Sequence, residues 1–333
     1  QGESFNAEKA LAMGVVNELA ASSETVEKAK AWVKANPTAK APWDVKGFKV
    51  PGGVPHRSPG AGQVMTMANA MLHAKTYGNY PAQKNILSCI YEGIMVPIDA
   101  GLRIETRYFI NTQQRPEAKA MIRSLFLSTQ ALSKGANRPA GYPKYALNKV
   151  AVIGAGLMGA GIAYEQARAG IETILVDVSV ENAEKGKDYS RKLVEKNVSR
   201  GKMTQEKGDA LLALIKPTAN YDDFKGADLV VEAVFENPEL KAQITKLAEA
   251  QLSDMAVMGS NTSTLPITGL AEASVRPANF IGIHFFSPVE RMGLVEIISG
   301  KETSEETLAK TIDYVLAIRK TPIVVNDSRG FYT

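Results

Sequence analysis

The stretch AVIGAGLMGAGIA, residues 151–163, decides how the rest of this sequence is read, because it holds four glycines in thirteen residues between a β-branched run and a small-residue helical pattern. So little side chain suits a tight turn that packs a helix onto a strand, or a main chain laid bare for a phosphate. Gly154-Ala155-Gly156-Leu157-Met158-Gly159 fits G-x-G-x-x-G, with a strand from Val150 to Ile153 before it and a helix after it. The next strand, ILVD, ends on Asp177, 21 residues beyond Gly156. That context turns a weak motif into a dinucleotide fingerprint. Gly154 permits the turn, Gly156 lets the backbone approach a pyrophosphate, and Gly159 lets helix and strand pack closely. The helix N-terminus offers free N–H groups and partial positive charge. Asp177 can accept hydrogen bonds from ribose hydroxyls and would repel a 2′-phosphate, which favours NAD over NADP. The bland alternative is a glycine turn closed by a strand-end aspartate with no ligand.

Downstream, the chain alternates strand and helix through ETILVD, a charged helix pair from Val180 to Leu214, ADLVVEAV, a helix from Pro238, MAVMGSN, a helix around Gly269, and FIGIHFF. This order predicts an α/β fold, a Rossmann-type doubly wound parallel sheet with helices on both faces. Upstream, KGANRPAGYPKYAL (134–147) lacks apolar periodicity and marks a domain boundary. The expected organisation is residues 1–135, a linker over 136–147, and a nucleotide-binding domain over 148–333. Residues 4–35 read as two short helices around a strand-like GVVNEL, and residues 36–63, rich in proline and glycine, as an irregular covering segment. The helical period returns from Gln63 to Ser133, where the Met, Phe and Tyr residues are expected to be core.

Composition narrows the function. With 45% apolar and 22% charged residues in 333, the chain can bury sizeable cores and has room for two domains. No apolar stretch approaches the ~18 residues of a membrane span, and no signal peptide is evident, so a cytoplasmic protein is expected. The single Cys89 and three scattered histidines, with no role read for His56 or His73, exclude a disulfide framework and give no metal cluster. A net charge of +4 is too small and dispersed to argue for nucleic acid. The chain opens on Gln1 and stops at NDSRGFYT, which reads as a fragment.

Three further places carry chemistry. His284 ends an apolar strand, and Glu296 stands 12 residues on in GLVEII, beyond a turn at Pro288. Adjacent strands would bring them together. A carboxylate accepting from one imidazole nitrogen fixes the tautomer and leaves the other nitrogen free to take a proton from a hydroxyl. The alternative is a histidine satisfied by backbone and a solvated glutamate. Ser263, in SNTST, lies past the strand MAVMGSN at the carboxyl edge of the sheet, and by itself reads as a helix N-cap. The basic run 185–202, KGKDYSRKLVEKNVSRGK, offers Lys and Arg to a polyanion such as the phosphates of CoA, or is a solvated helix face.

SNTSTLPIT (260–268), GIHFFSPVERMGLVEII (282–298) and KTPIVVNDSRGF (320–331), in order behind VIGAGLMGAGIA, closely resemble the 3-hydroxyacyl-CoA dehydrogenase family. Within it the chain looks like the bacterial bifunctional α subunits of fatty-acid β-oxidation, which fuse an enoyl-CoA hydratase domain to this dehydrogenase. The likeness is strong over 148–333. It is weaker upstream, where NAEKALAMGVVNEL (6–19) resembles the late part of a crotonase-like domain and YPAQKNILSCIYEGI (80–94) its helical extension.

The resemblance implies NAD-dependent oxidation of a (3S)-hydroxyacyl-CoA, with His284 and Glu296 as the catalytic pair and Ser263 contacting the substrate hydroxyl or the nicotinamide. In VFENPELK it makes Glu236 and Lys241 cofactor contacts, with Val234 and Phe235 lying along the cofactor. Read alone, these are an ordinary helix-start glutamate and a solvated lysine. Ser287 occupies a cofactor-contacting place where many relatives have asparagine. The resemblance also implies an acyl-CoA substrate and a thiolase subunit as partner. The family's substrate-orienting asparagine would follow Thr333, and the hydratase glutamates would precede residue 1. NAD binding with little dehydrogenase activity and no hydratase activity is therefore expected of this chain. A hydroxyacid dehydrogenase acting on free acids and a non-catalytic NAD-binding module remain the alternatives.

Overall fold

Proline sets the start of several helices in the N-terminal part of the chain. In order these helices are α1 (Ala7–Ala12), α2 (Thr25–Ala35), α3 (Pro59–Thr76), α4 (Pro81–Gly93), α5 (Ile98–Gln114) and α6 (Pro116–Met121). At the first helical position the fixed φ of proline is already helical and its missing N–H has no partner to lose. Ser58 adds a side-chain cap at the Ala61 amide of α3. Asn85 of α4 donates to Thr112 Oγ1 of α5 at 2.7 Å, tying these two helices together.

The computed structural model describes residues 5–332, and the chain divides after Ser124 into two compact units. The expected domain limits at residues 1 and 333 lie outside the described residues. Two expectations for the first unit are corrected. GVVNEL forms a turn followed by bends, with no strand. A strand exists through its ladder, and no partner strand is described in this unit. Nor are its Met, Phe and Tyr residues core: Ala10 is the only buried residue among those described before Leu125, and Met67, Phe109 and Tyr77 are exposed. Helical periodicity shows which face is apolar without showing that another element covers it.

The second unit holds α7 (Thr129–Ser133) and then β1 (Lys149–Ile153), α8 (Leu157–Arg168), β2 (Glu172–Val176), α9 (Val180–Ser199), α10 (Gln205–Leu214), β3 (Ile215–Thr218), β4 (Leu229–Glu232), α11 (Pro238–Glu249), β5 (Val257–Ser260), α12 (Ile267–Ala271), β6 (Phe280–Phe285), β7 (Leu294–Ser299), α13 (Glu305–Ala317) and β8 (Thr321–Asn326). The strands form one eight-stranded sheet in the order β3-β2-β1-β4-β5-β6-β7-β8. Strands β1 to β6 are parallel, as expected. The sheet as a whole is mixed, however, because β7 runs antiparallel to β6 and β8 parallel to β7. The connection 286–293 is too short for the crossover that a parallel pair requires, so the chain can only turn back.

Both edge strands carry a proline, Pro217 in β3 and Pro322 in β8, at places where a missing ladder donor is tolerated. Alternation along β1 sends Val150 and Val152 into one core cluster, with residues of α8, α9, α10 and α13, and Ala151 and Ile153 into the other, with α11 and α12. Each fully buried valine or isoleucine contributes ~1.5–3 kcal/mol. The two faces together fix the carboxyl edge of the sheet on which the site is built. The glycine- and proline-rich stretch before β1 is pinned to this unit. Arg138 forms a bidentate pair with Asp313 at 2.8 and 2.9 Å, and Tyr145 donates its hydroxyl to the Asp228 carbonyl at 2.8 Å.

Candidate active site

Strand order reverses between β1 and β4, so their outgoing connections diverge and leave a crevice beyond their carboxyl ends. The glycine turn lies there, and its neighbours dictate two of its glycines. Gly154 has φ +95°, and a Cβ on it would stand 2.7 Å from the Ala233 carbonyl oxygen. A Cβ on Gly159 would stand 1.8 Å from the Gly154 carbonyl oxygen, so α8 could not lie against the turn. Gly156 is different: nothing lies within 4 Å of its would-be Cβ. It is the N-cap of α8 and offers no side chain to the helix amides, so bare backbone faces open space. Leu157 is exposed, and Met158 packs against the core.

Ala155 donates its N–H to Asp177 Oδ2 at 2.7 Å, while Asp177 Oδ1 accepts from the Val178 amide at 2.8 Å. The aspartate at the end of β2 is thus oriented by the turn itself. Sequence reading missed Gly186 of α9, where a Cβ would stand 2.7 Å from that of Ala155. Its only signal was a glycine inside a charged helix. Most of the basic run around it is a solvated face: Lys185 pairs with Glu181, and Arg191 with Asp188 and Glu184. Lys187 instead reaches the Ile215 carbonyl at 2.9 Å.

On the other side of the crevice, the loop after β4 carries Val234, half-buried, and Phe235, 86% exposed. Glu236 accepts from the Ser263 amide at 2.8 Å, from the Ser263 hydroxyl at 3.2 Å, and from the Thr262 hydroxyl at 2.9 Å. Burial pushes its carboxyl upward, but the Ser263 amide, the Lys241 ammonium and the two hydroxyls outweigh this and hold it below the ordinary carboxylate value. Lys241 is not the solvated lysine of the bland reading. It is 2% exposed and donates to both oxygens of Glu232, at 2.8 and 2.9 Å, with Glu236 at 3.5 Å.

His284 and Glu296 are directly opposite in the antiparallel β6–β7 register. Their side chains share a face of the sheet, and Nδ1 of the imidazole lies 2.6 Å from Oε2 of the carboxylate. Glu296 is fully buried, and its Oε1 accepts from the Tyr332 amide at 3.1 Å. Two donors therefore hold this carboxylate in place. Phe286 and Phe331 flank the imidazole, with ring centroids 4.6 and 5.9 Å away. Asn261 accepts from the Phe285 amide at 2.8 Å, linking the end of β6 to the loop that carries Ser263. Ser287 is exposed in the connecting turn.

A second residue that sequence reading missed holds that turn. Lys320, almost fully buried just before β8, donates to the carbonyls of Val289 and Met292 at 2.7 and 2.8 Å. Burial pushes its ammonium down in pKa. Its signal was a charge immediately before an apolar run. Among the described residues no group of three or more His, Cys, Asp or Glu could hold a metal, and no helix is long and apolar enough to cross a membrane.

The residues at the crevice fit a dinucleotide: the would-be Cβ of Gly156 points into free space, the start of α8 is uncapped, and a carboxylate is fixed at the end of β2. A doubly wound sheet with this turn at its switch point belongs to the nucleotide-dependent α/β proteins. The comparison with known families narrows this. The family described as 3-hydroxyacyl-CoA dehydrogenase, NAD binding domain, matches residues 149–328, and the chain belongs to it. NAD is therefore the nucleotide of this domain.

The fatty acid oxidation complex subunit alpha of Psychrobacter arcticus is 38% identical over 97% of this chain and 45% of its own length. That of Shewanella baltica is 37% identical over 99% of this chain and 46% of its own length. The chain thus spans under half the length of these curated relatives. Among solved structures, the (S)-3-hydroxybutyryl-CoA dehydrogenase of Ralstonia eutropha is similar with a TM-score of 0.55 and 37% identity, over 56% of this chain and 66% of that one. The 3-hydroxybutyryl-CoA dehydrogenase of Escherichia coli K12 gives 0.55 and 32%, over 56% of this chain and 39% of that one.

Proposed function

We propose that this chain carries the NAD-dependent oxidation of a (3S)-hydroxyacyl-CoA to the 3-ketoacyl-CoA in fatty-acid β-oxidation. The observation that carries the reading is the 2.6 Å contact of His284 Nδ1 with the buried Glu296, on the same sheet edge as the glycine turn. NAD, when bound, supplies the hydride acceptor; Gly154, Ala155, Gly156, Leu157, Met158, Gly159 and Asp177 would hold its adenosine and diphosphate. Val234, Phe235, Glu236 and Ser287 would line its other end, with the buried Lys241 behind Glu236. With Nδ1–H donated to Glu296, the other imidazole nitrogen is the acceptor tautomer and takes the substrate hydroxyl proton. Glu296 then stabilises the imidazolium that forms. Ser263, steadied by Glu236, places the oxygen.

Residues 1–135 are read as the end of a crotonase-like domain with a helical extension, joined through residues 136–147. The relatives are named as subunits of a complex, which supports assembly with a further subunit. A thiolase subunit as that partner and a cytoplasmic location complete the reading. The test is NADH-dependent reduction of acetoacetyl-CoA by this chain and by a version extended beyond Thr333. Turnover of the CoA ester and none of the free acid is expected from the extended version. Equal turnover of acetoacetate would make it a hydroxyacid dehydrogenase. NADH binding without turnover in either version would leave a binding module.

A further inference from the structure

We propose that Glu232, the last residue of β4, is a positioning residue that sets the loop facing the cofactor, acting through Lys241 on Glu236 and Ser263. The inference rests on the function proposed above. A charge in the buried run LVVEAV is itself unusual. Glu232 is 1% exposed, yet its carboxylate is saturated: both oxygens accept from Lys241 Nζ, Oε1 also accepts from the Ser260 hydroxyl, and Oε2 accepts from the Val234 amide at 3.3 Å. These donors come from α11, from β5 and from the loop after β4. The carboxylate therefore joins the three elements that border the crevice on this side.

The buried ammonium of Lys241 lies between two carboxylates, Glu232 at 2.8 Å and Glu236 at 3.5 Å. The nearer, fully desolvated partner wins it. Glu236 is thereby left free to accept from the Ser263 amide and hydroxyl. Without the charge on Glu232, the ammonium has one carboxylate left to satisfy it, and Coulomb attraction in a low-dielectric site draws Glu236 inward, off Ser263. A pair that served packing alone would lose stability when Glu232 is neutralised and leave the loop as it was.

The experiment compares wild type, Glu232→Gln and the double variant Glu232→Gln/Lys241→Met by thermal unfolding, NADH fluorescence titration and hydrogen exchange at the Ser263 amide. Glu232→Gln is expected to lower the unfolding midpoint, to weaken NADH binding by roughly tenfold, and to speed Ser263 exchange by a similar factor. The double variant has no ammonium to draw Glu236 away, and is expected to regain the midpoint, the NADH affinity and the Ser263 protection together. Retention of both defects in the double variant would show that Lys241 does not carry the effect and would overturn the proposal. So would a Glu232→Gln chain with unchanged exchange. If the wild-type chain fails to bind NADH, the proposed function falls, and exchange at Ser263 still decides the role of Glu232.

Discussion

The glycine turn after β1 and the His284–Glu296 pair on β6 and β7 lie on one sheet edge but are built by opposite means. The turn is shaped by close approach of backbone to backbone, with the Ala233 carbonyl crowding Gly154. Gly159 packs on Gly154, and Ala155 orients Asp177. The pair is made by strand register, which sets residues 12 apart directly opposite one another. The turn is therefore vulnerable to any added atom, whereas the pair is vulnerable to a change of chemistry or of register. Binding and chemistry should then fail separately.

The strongest break of that separation is attempted at the pair. In the version extended beyond Thr333, His284→Gln is expected to lower acetoacetyl-CoA reduction by about 10²–10⁴-fold while leaving NADH affinity near wild type. A parallel fall in affinity would mean that the two regions are one unit. At the turn, Gly159→Ala inserts a methyl where the Gly154 carbonyl oxygen stands 1.8 Å away. It should cost about 1–3 kcal/mol or more in urea unfolding and abolish NADH binding. Gly156→Ala sharpens the contrast, since nothing lies within 4 Å of its new Cβ. Stability should change by less than about 0.5 kcal/mol, with NADH binding weakened about tenfold. Unchanged affinity there would deny that the open space takes a diphosphate.

The smallest effect concerns pH. Folding holds the Glu236 carboxyl below its ordinary value of 4.5. Between the folded and ordinary values the unfolded chain binds more protons, so stability rises with pH through that window. The contribution is complete above 4.5 and is lost as pH falls through the folded value. Glu236→Gln should therefore flatten part of the acid-side slope of the unfolding midpoint, and an unaltered slope would remove this carboxylate from the linkage.

Much of the site was legible because its signals are local or periodic. Three glycines, a strand before them and an aspartate after them define the turn. An apolar strand, a proline-marked turn and a second apolar strand foretold that His284 and Glu296 would meet. The antiparallel direction of β7 and the edge strand β3 were not read, the latter because IKPT is short and holds a proline. The burial of Lys241 was also invisible. In sequence it is a lysine early in an amphipathic helix, and only Glu232 on the neighbouring strand makes its burial tolerable. The roles of Lys320 and Gly186 escaped for the same reason, since each is defined by a partner distant in the chain.

Sequence alone determined the bend that opens the crevice, the alternation that makes a doubly wound sheet, and the residue types able to move a proton, because backbone conformation and side-chain chemistry are properties of short segments. Tertiary structure alone decided which charges are buried together, which apolar faces are covered, and which carboxylate claims Lys241. Burial and Coulomb energy depend on distances between elements, and those distances exist only once the sheet has assembled.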